Sequence, residues 1–134
     1  MKLVYPAIFY PFDEKDGEGF AVEVPDLPGC ATGGNSMAEA IDMAIDAASG
    51  WVLGEMEDGL PIPKATPFNK VKPEEPNGIV SMIVLDMDSY AEKYGNKAVR
   101  KNLTIPAWLA TAADKLNINY SQTFQNALIE QINM

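Results

Sequence analysis

Val99-Arg100-Lys101-Asn102-Leu103-Thr104-Ile105-Pro106 is the stretch that sets the architecture of this chain. Arg100, Asn102 and Thr104 point one way and Leu103 and Ile105 the other, the two-residue period of a strand. Pro106 is expected at the first helical position, where a missing N–H costs nothing. Leu109, Ala112, Ala113 and Leu116 then share one helical face. Asn117-Ile118-Asn119 reads as a turn, and Asn119 with Gln122 three residues later as a capping box. A last helix repeats apolar residues at 120, 124, 127, 128 and 132. The result is one short strand and two short amphipathic helices. A unit below about 40 residues rarely buries enough surface to fold alone, and a single strand needs a partner. Two chains that pair their strands antiparallel and interlock their helices meet both needs.

Charge separates this unit from the rest. The 134 residues hold 10 basic and 19 acidic side chains, a net of −9, with no histidine and one cysteine. Without histidine there is no Ser-His-Asp triad, no histidine base and no histidine-ligated metal. One cysteine allows neither an intrachain disulfide nor a Cys-rich zinc site, so no cofactor or metal is expected. The net charge argues against nucleic acid, because phosphates repel an acidic surface. Its distribution argues otherwise. Residues 1–94 carry 6 basic and 17 acidic side chains, a net of −11. Residues 95–134 carry Lys97, Arg100, Lys101 and Lys115 against Asp114 and Glu130, a net of +2. Such a shift suggests two modules with different partners, placed at 1–94 and 97–134. No signal peptide is visible in Met1–Pro6, and no run approaches the roughly 18–20 apolar residues of a membrane span. A cytoplasmic protein is expected, and the lone thiol agrees.

The front of the chain reads as α+β. Residues 2–12 form a strand, with Pro6 arguing for an edge position or a bulge. Residues 13–19 are a polar turn and 20–24 the returning strand. Pro25-Asp26-Leu27-Pro28-Gly29 forces a tight loop, and Cys30-Ala31-Thr32 starts a third strand. Ser36-Met37-Ala38-Glu39 is a capping box. The helix it opens has apolar residues at 37, 41, 44, 45, 48, 52 and 56, is weakened by Gly50 and Gly54, and ends at Asp58-Gly59. Five of the ten prolines lie in 59–78, an extended connection without regular elements. Ile79–Met87 is nearly all apolar, which predicts a strand covered on both faces. Ser89 is expected to cap a turn or two of helix, closed by Gly95-Asn96. The fold expected is an antiparallel sheet with one main helix. Cys30 is expected as a small buried hydrophobe, Asp26 as the cap of its own turn, and Trp51 in the core. Trp108 belongs either between the modules or exposed at an oligomer contact. Tyr90 and Tyr94 are expected to pack the short helix on the sheet.

Arg-Lys-Asn-Leu-Thr-Ile-Pro at 100–106, Trp-Leu-Ala at 108–110 and Leu-Asn-Ile-Asn-Tyr-Ser-Gln at 116–122 strongly resemble the ribbon-helix-helix repressors. In that family a two-stranded ribbon enters the DNA major groove. The resemblance implies Arg100, Asn102 and Thr104 as base readers. Their chemistry suits the task, since arginine pairs with guanine and asparagine with adenine. It also implies Asn119 and Ser121 at a helix start that grips a phosphate, with Lys97 and Lys101 as looser backbone contacts. The unit would make the protein at least a homodimer, with a tetramer on the operator as a further expectation.

Residues 1–63 resemble the HicB antitoxins. The resemblance is carried by Tyr5-Pro6-Ala7-Ile8, Gly19-Phe20-Ala21-Val22, Pro25-Asp26-Leu27-Pro28-Gly29-Cys30, Thr32, Gly34 and Glu39-Ala40 through Ala44. Leu60-Pro61-Ile62-Pro63 also fits. It implies a reduced ribonuclease H-like fold, a partner toxin of the HicA type that degrades messenger RNA, and repression of the chain's own operon. An acidic body facing a basic, RNA-binding toxin is consistent with that role. The residues that meet the toxin are not assigned. Two other readings are a ligand-sensing repressor and a metal-dependent nuclease. The nuclease needs converging carboxylates around two metal ions. Residues 2–12 contain no acid, Asp13 lies in a turn, and Glu39, Asp42, Asp86 and Asp88 remain. Glu39 is explained as a cap and Asp42 as part of a solvated face, so no catalytic residue is expected.

Overall fold

The computed structural model describes residues 1–13 and 17–133. The chain divides into two compact units, Met1–Lys97 and Ala98–Met134. The polar turn expected over 13–19 lies in part outside the described residues.

The first unit is α+β. Strands β1 (Lys2–Pro11), β2 (Phe20–Glu23), β3 (Ala31–Gly34) and β4 (Ile79–Asp86) form one antiparallel sheet in the order β3-β2-β1-β4. Helix α1 (Met37–Asp58) lies on one face, and α2 (Met87–Tyr94) follows β4 without a loop. β1 is an inner strand, contrary to the edge position that Pro6 suggested. The proline is accommodated because β2 pairs only with Ile8–Pro11, which leaves β1 a single neighbour, β4, at Pro6.

Period two sorts the sheet into faces. Tyr5, Ala7, Phe9, Ile83 and Leu85 turn toward α1 and are buried with Val22, Val24, Leu27 and Cys30. The helix meets them with Ala40, Ala44, Ala48 and Val52, all fully buried. Met37, Ile41 and Ile45 are only partly buried at its flank. The buried stripe is thus made of small residues, which lets the helix axis come close to the sheet. Gly34 shows how close, since a Cβ there would sit 2.4 Å from the Ala40 nitrogen.

The capping chemistry of α1 is as expected at both ends. Glu39 N–H donates to Ser36 Oγ at 3.1 Å, and the Glu39 carboxylate accepts from Asn35 N–H at 3.2 Å. Gly59 adopts φ 69°, and Gly59 and Leu60 N–H donate to Met56 and Glu55 carbonyls, the paired bonds of a left-handed helix stop. Gly50 and Gly54 do not interrupt the helix.

Three further expectations fail in this unit. Asp26 does not cap its own turn, which closes through backbone bonds from Leu27 to Val24 and from Cys30 to Leu27. Its carboxylate instead accepts from Thr66 N–H at 2.9 Å and Thr66 Oγ1 at 2.5 Å, clasping the proline-rich segment to the body. Tyr5 O–H adds a bond to the Pro63 carbonyl at 2.6 Å, and the segment contains a short 3-10 turn, Phe68–Lys70. The second failure is α2, which is capped by Asp86 and not by Ser89. The third is β4, which is covered on one face only. Ile83 and Leu85 are buried, whereas Met82 and Val84 are exposed. The proline-rich segment crosses this outer face near Tyr10, where Glu74 N–H donates to the Tyr10 hydroxyl at 3.1 Å, and leaves the far end open.

The second unit holds α3 (Ala107–Lys115) and α4 (Tyr120–Ile132). Pro106 is the cap residue just before α3, one position earlier than expected. Asn117 takes φ 54°, and Asn117 and Ile118 N–H donate to Asp114 and Ala113 carbonyls, the same stop that Gly59 gives α1. Asn119 Oδ1 accepts from Gln122 N–H at 3.0 Å, while the Gln122 side chain donates to Asn126 rather than back to the cap. Tyr120 O–H bonds to Asp114 and to the Ala110 carbonyl, tying the two helices together.

Candidate functional site

In the second unit, no described residue is buried. Ala110, Ala113 and Phe124 are half-buried and every other described residue is exposed. The exposed set includes Leu103, Trp108, Leu116 and Ile132, at 62%, 72%, 73% and 77%. Apolar side chains at that density, with no buried residue among them, form the kind of exposed apolar surface that marks an interaction site. Residues 98–106 belong to no strand of the single chain. Arg100, Lys101, Asn102 and Thr104 are all exposed there. Lys97 closes the first unit, with its Nζ 4.0 Å from Asp58 in a largely exposed pair of small energetic weight. Asn119 and Ser121 open α4, where Asn119 already uses its side chain as the cap. The backbone N–H groups of that first turn carry the partial positive charge of a helix start. Asp114 pushes the Tyr120 hydroxyl's pKa up by accepting its hydrogen bond.

Three of the acids considered for metal chemistry have structural work in the first unit. Glu39 holds the Asn35 N–H. Asp88 pairs with the N-terminal ammonium. Asp86 accepts from Ser89 N–H at 3.2 Å. That bond, ahead of the nearby Lys2 and N-terminal charges, draws its carboxyl below the ordinary range. Among the described residues, no group of three or more His, Cys, Asp or Glu side chains is disposed to hold a metal ion. Cys30 is buried, and burial pushes its thiol up, away from the reactive thiolate.

The structure brings together one set that the sequence did not link. Asp42 and Asp46 from α1, Asp86 from β4 and Tyr90 and Lys93 from α2 line a hollow of about 340 Å³ beside the β4 edge. Burial and then Asp46 raise the Tyr90 hydroxyl's pKa. Tyr90 packs on the core and stacks obliquely on Tyr94, with ring centres 4.6 Å apart, while Tyr94 stays exposed. Gly50 makes room for the Tyr90 hydroxyl, which a Cβ there would meet at 3.0 Å. No sequence pattern marks this hollow, because it depends on where α2 folds back. Trp51, expected in the core, is partly buried against it, and its indole N–H donates to the Pro28 carbonyl at 3.0 Å. Trp108 is exposed, one of the two placements foreseen.

Among the described residues, no helix is long and apolar enough to cross a membrane. A family model described as the HicB-like antitoxin of bacterial toxin-antitoxin systems matches residues 5–132. An uncharacterized 14.9 kDa protein from the rep-hol intergenic region of Haemophilus phage HP1 is 34% identical over 115 residues, 84% of this chain and 80% of that protein. A toxin-antitoxin complex from Streptococcus pneumoniae contains a chain of similar fold, with TM-score 0.63, 25% identity and coverage of 98% of this chain and 99% of that one. A chain of the HicA3 and HicB3 toxin-antitoxin complex matches 63% of this chain and 99% of its own length, with TM-score 0.51 and 25% identity. The family model and the solved structures carry the names of antitoxins and toxin-antitoxin complexes, and in them the antitoxin family is not known as an enzyme.

Proposed function

The chain belongs to the HicB-like antitoxin family of bacterial toxin-antitoxin systems, and from that premise we propose that it neutralises a HicA-like, messenger-RNA-cleaving toxin and represses its own operon. The body, residues 1–94, with a reduced ribonuclease H-like fold, takes the toxin. The terminal unit, residues 97–134, is a ribbon-helix-helix module. Two copies pair residues 99–105 as an antiparallel ribbon and cover each other's helices. The ribbon enters the major groove of the operator, with Arg100, Asn102 and Thr104 on base edges. Lys97, Lys101, Asn119 and Ser121 hold phosphates. Dimers on adjacent half-sites give a tetramer on the operator. Both activities belong to the cytoplasm, where messenger RNA and the operon are found.

The observation that carries the repressor half is the terminal unit without a single buried residue among those described. A two-chain unit is the physical remedy, and Lys97, Arg100 and Lys101 place three of the ten basic side chains of this acidic protein at or just before its ribbon. A fragment ending at Tyr94 and the full chain, each tested for toxin capture and operator binding, separate the two roles. The fragment is expected to capture toxin and lose the operator. Specific operator binding by that fragment would remove the terminal unit from DNA recognition. In the full chain Arg100→Ala is expected to weaken operator affinity by about 1–3 kcal/mol, and an unchanged affinity would take Arg100 out of the base-reading set.

A further inference from the structure

The sheet of the body ends in two edges of unequal character. β3 is four residues long, finishes in Gly33 and Gly34, and is overlaid by the start of α1. β4 spans eight residues, and from Ile79 to Leu85 it holds no charge, proline or glycine. It pairs with β1 alone. An open apolar edge is a template for another strand, and proteins blunt edges they do not use with charge, proline or a bulge. β4 carries none of these.

Pro6 indicates which backbone groups are on offer. It stands opposite Met82. Lacking an N–H, it fits without loss at a pair whose backbone groups point away from each other. Met82, and by the same alternation Val80 and Val84, then turn N–H and C=O to the open side. Val84, Val4 opposite it and Met82 add an exposed apolar strip on the outer face. Beside the C-terminal half of the edge is the hollow, where Asp42, Asp46 and Asp86 set three carboxylates, against the one ammonium of Lys93, around Ile45, Val84 and Tyr90.

Charge decides between the possible occupants. Residues 1–94 carry a net of −11, so a second copy of the body meets like charge when the edges pair, and like charges oppose association. A basic segment gains where the copy loses. We infer that the toxin adds an extended, lysine- or arginine-bearing segment to the β4 edge, with its basic side chains over the carboxylates of the hollow. The inference rests on the antitoxin reading above and names the surface that the reading leaves unassigned.

The probe is the tagged toxin from the short reading frame adjoining this chain's own, co-expressed with the full-length protein. Capture by the unaltered chain is the first measurement. Its absence overturns the antitoxin reading, and this surface with it. Given capture, Asp42→Lys combined with Asp46→Lys is expected to weaken toxin affinity by about ten-fold or more. The same two-charge reversal at Glu57 and Glu75, exposed and outside the hollow, is expected to leave it unchanged. Amide exchange in the unaltered chain, a readout that needs no substitution, is expected to slow at Val80, Met82 and Val84 in the complex. A complex that forms without slowing exchange across 79–86, or that tolerates the Asp42 and Asp46 reversals, overturns the surface and leaves the antitoxin reading standing.

Discussion

Asp86 ends a strand and begins a helix with one side chain. Its carboxylate accepts from Ser89 N–H, and that bond is the main reason its pKa falls below 3.8. A carboxyl depressed in the folded state contributes stability that is fully present above the unfolded pKa and fades as pH falls through the folded one. The contribution of this cap is therefore complete near neutrality and is lost below about pH 4. Asparagine caps about as well as aspartate but does not titrate. Asp86→Asn is expected to match the parent chain in urea midpoint near neutrality and to lose less of it on acidification. An equal loss in both proteins would show that the cap does not act through its charge. Asp86 also shows where local reading stops. Ser89-Tyr90-Ala91-Glu92 looks like a helix start, but β4 runs straight into α2 and Asp86 caps it three residues earlier. Asp26 is a similar case, since its partner Thr66 lies forty residues away in the chain.

At the scale of elements, the two left-handed stops at Gly59 and Asn117 follow from residue type, because glycine and asparagine are the residues that most readily take positive φ. They separate two kinds of glycine in one region of the chain. Gly54 lies within α1, and a Cβ there would meet nothing within 4 Å beyond the helix itself. Gly54→Ala is expected to stabilise the body by about 0.5–1 kcal/mol. Gly59 is equally unhindered but sits at φ 69°, so Gly59→Ala is expected to cost about 1–2 kcal/mol. Denaturant unfolding of the two variants should move in opposite directions, and a shift of the same sign in both would refute the assignment of the helix end. The stripe on α1 was only partly legible. Its periodicity was visible, yet Ile41 and Ile45 are larger and more hydrophobic than Ala40, and the close approach of helix to sheet selects the alanines for the centre of the contact.

The whole molecule has two units with unequal means of folding. The body has a core of its own from β1, β2, β4 and α1. The terminal unit has none among its described residues; with the second chain proposed above covering it, its stability would follow mass action. Two melting transitions are expected for the full protein. The transition of α3 and α4 should rise with protein concentration, and that of the body in a fragment ending at Tyr94 should not. A concentration-independent transition for the terminal helices would contradict folding by dimerisation.

What the sequence determined by itself is what local chemistry controls. The order of elements in the body, the two terminal helices, the cap at Ser36, the helix stops at Gly59 and Asn117, the burial of Cys30 and the split of charge between body and tail are set by residue type and spacing over a few positions. Tertiary structure alone decided the inner place of β1, the single covered face of β4, the clasp from Asp26 to Thr66, and the meeting of Asp42, Asp46 and Asp86 in one hollow. Each of those depends on which distant segments come together. An apolar run such as Ile79–Leu85 reads the same whether its second face meets its own chain or another, because hydrophobicity specifies that a surface be covered and not what covers it.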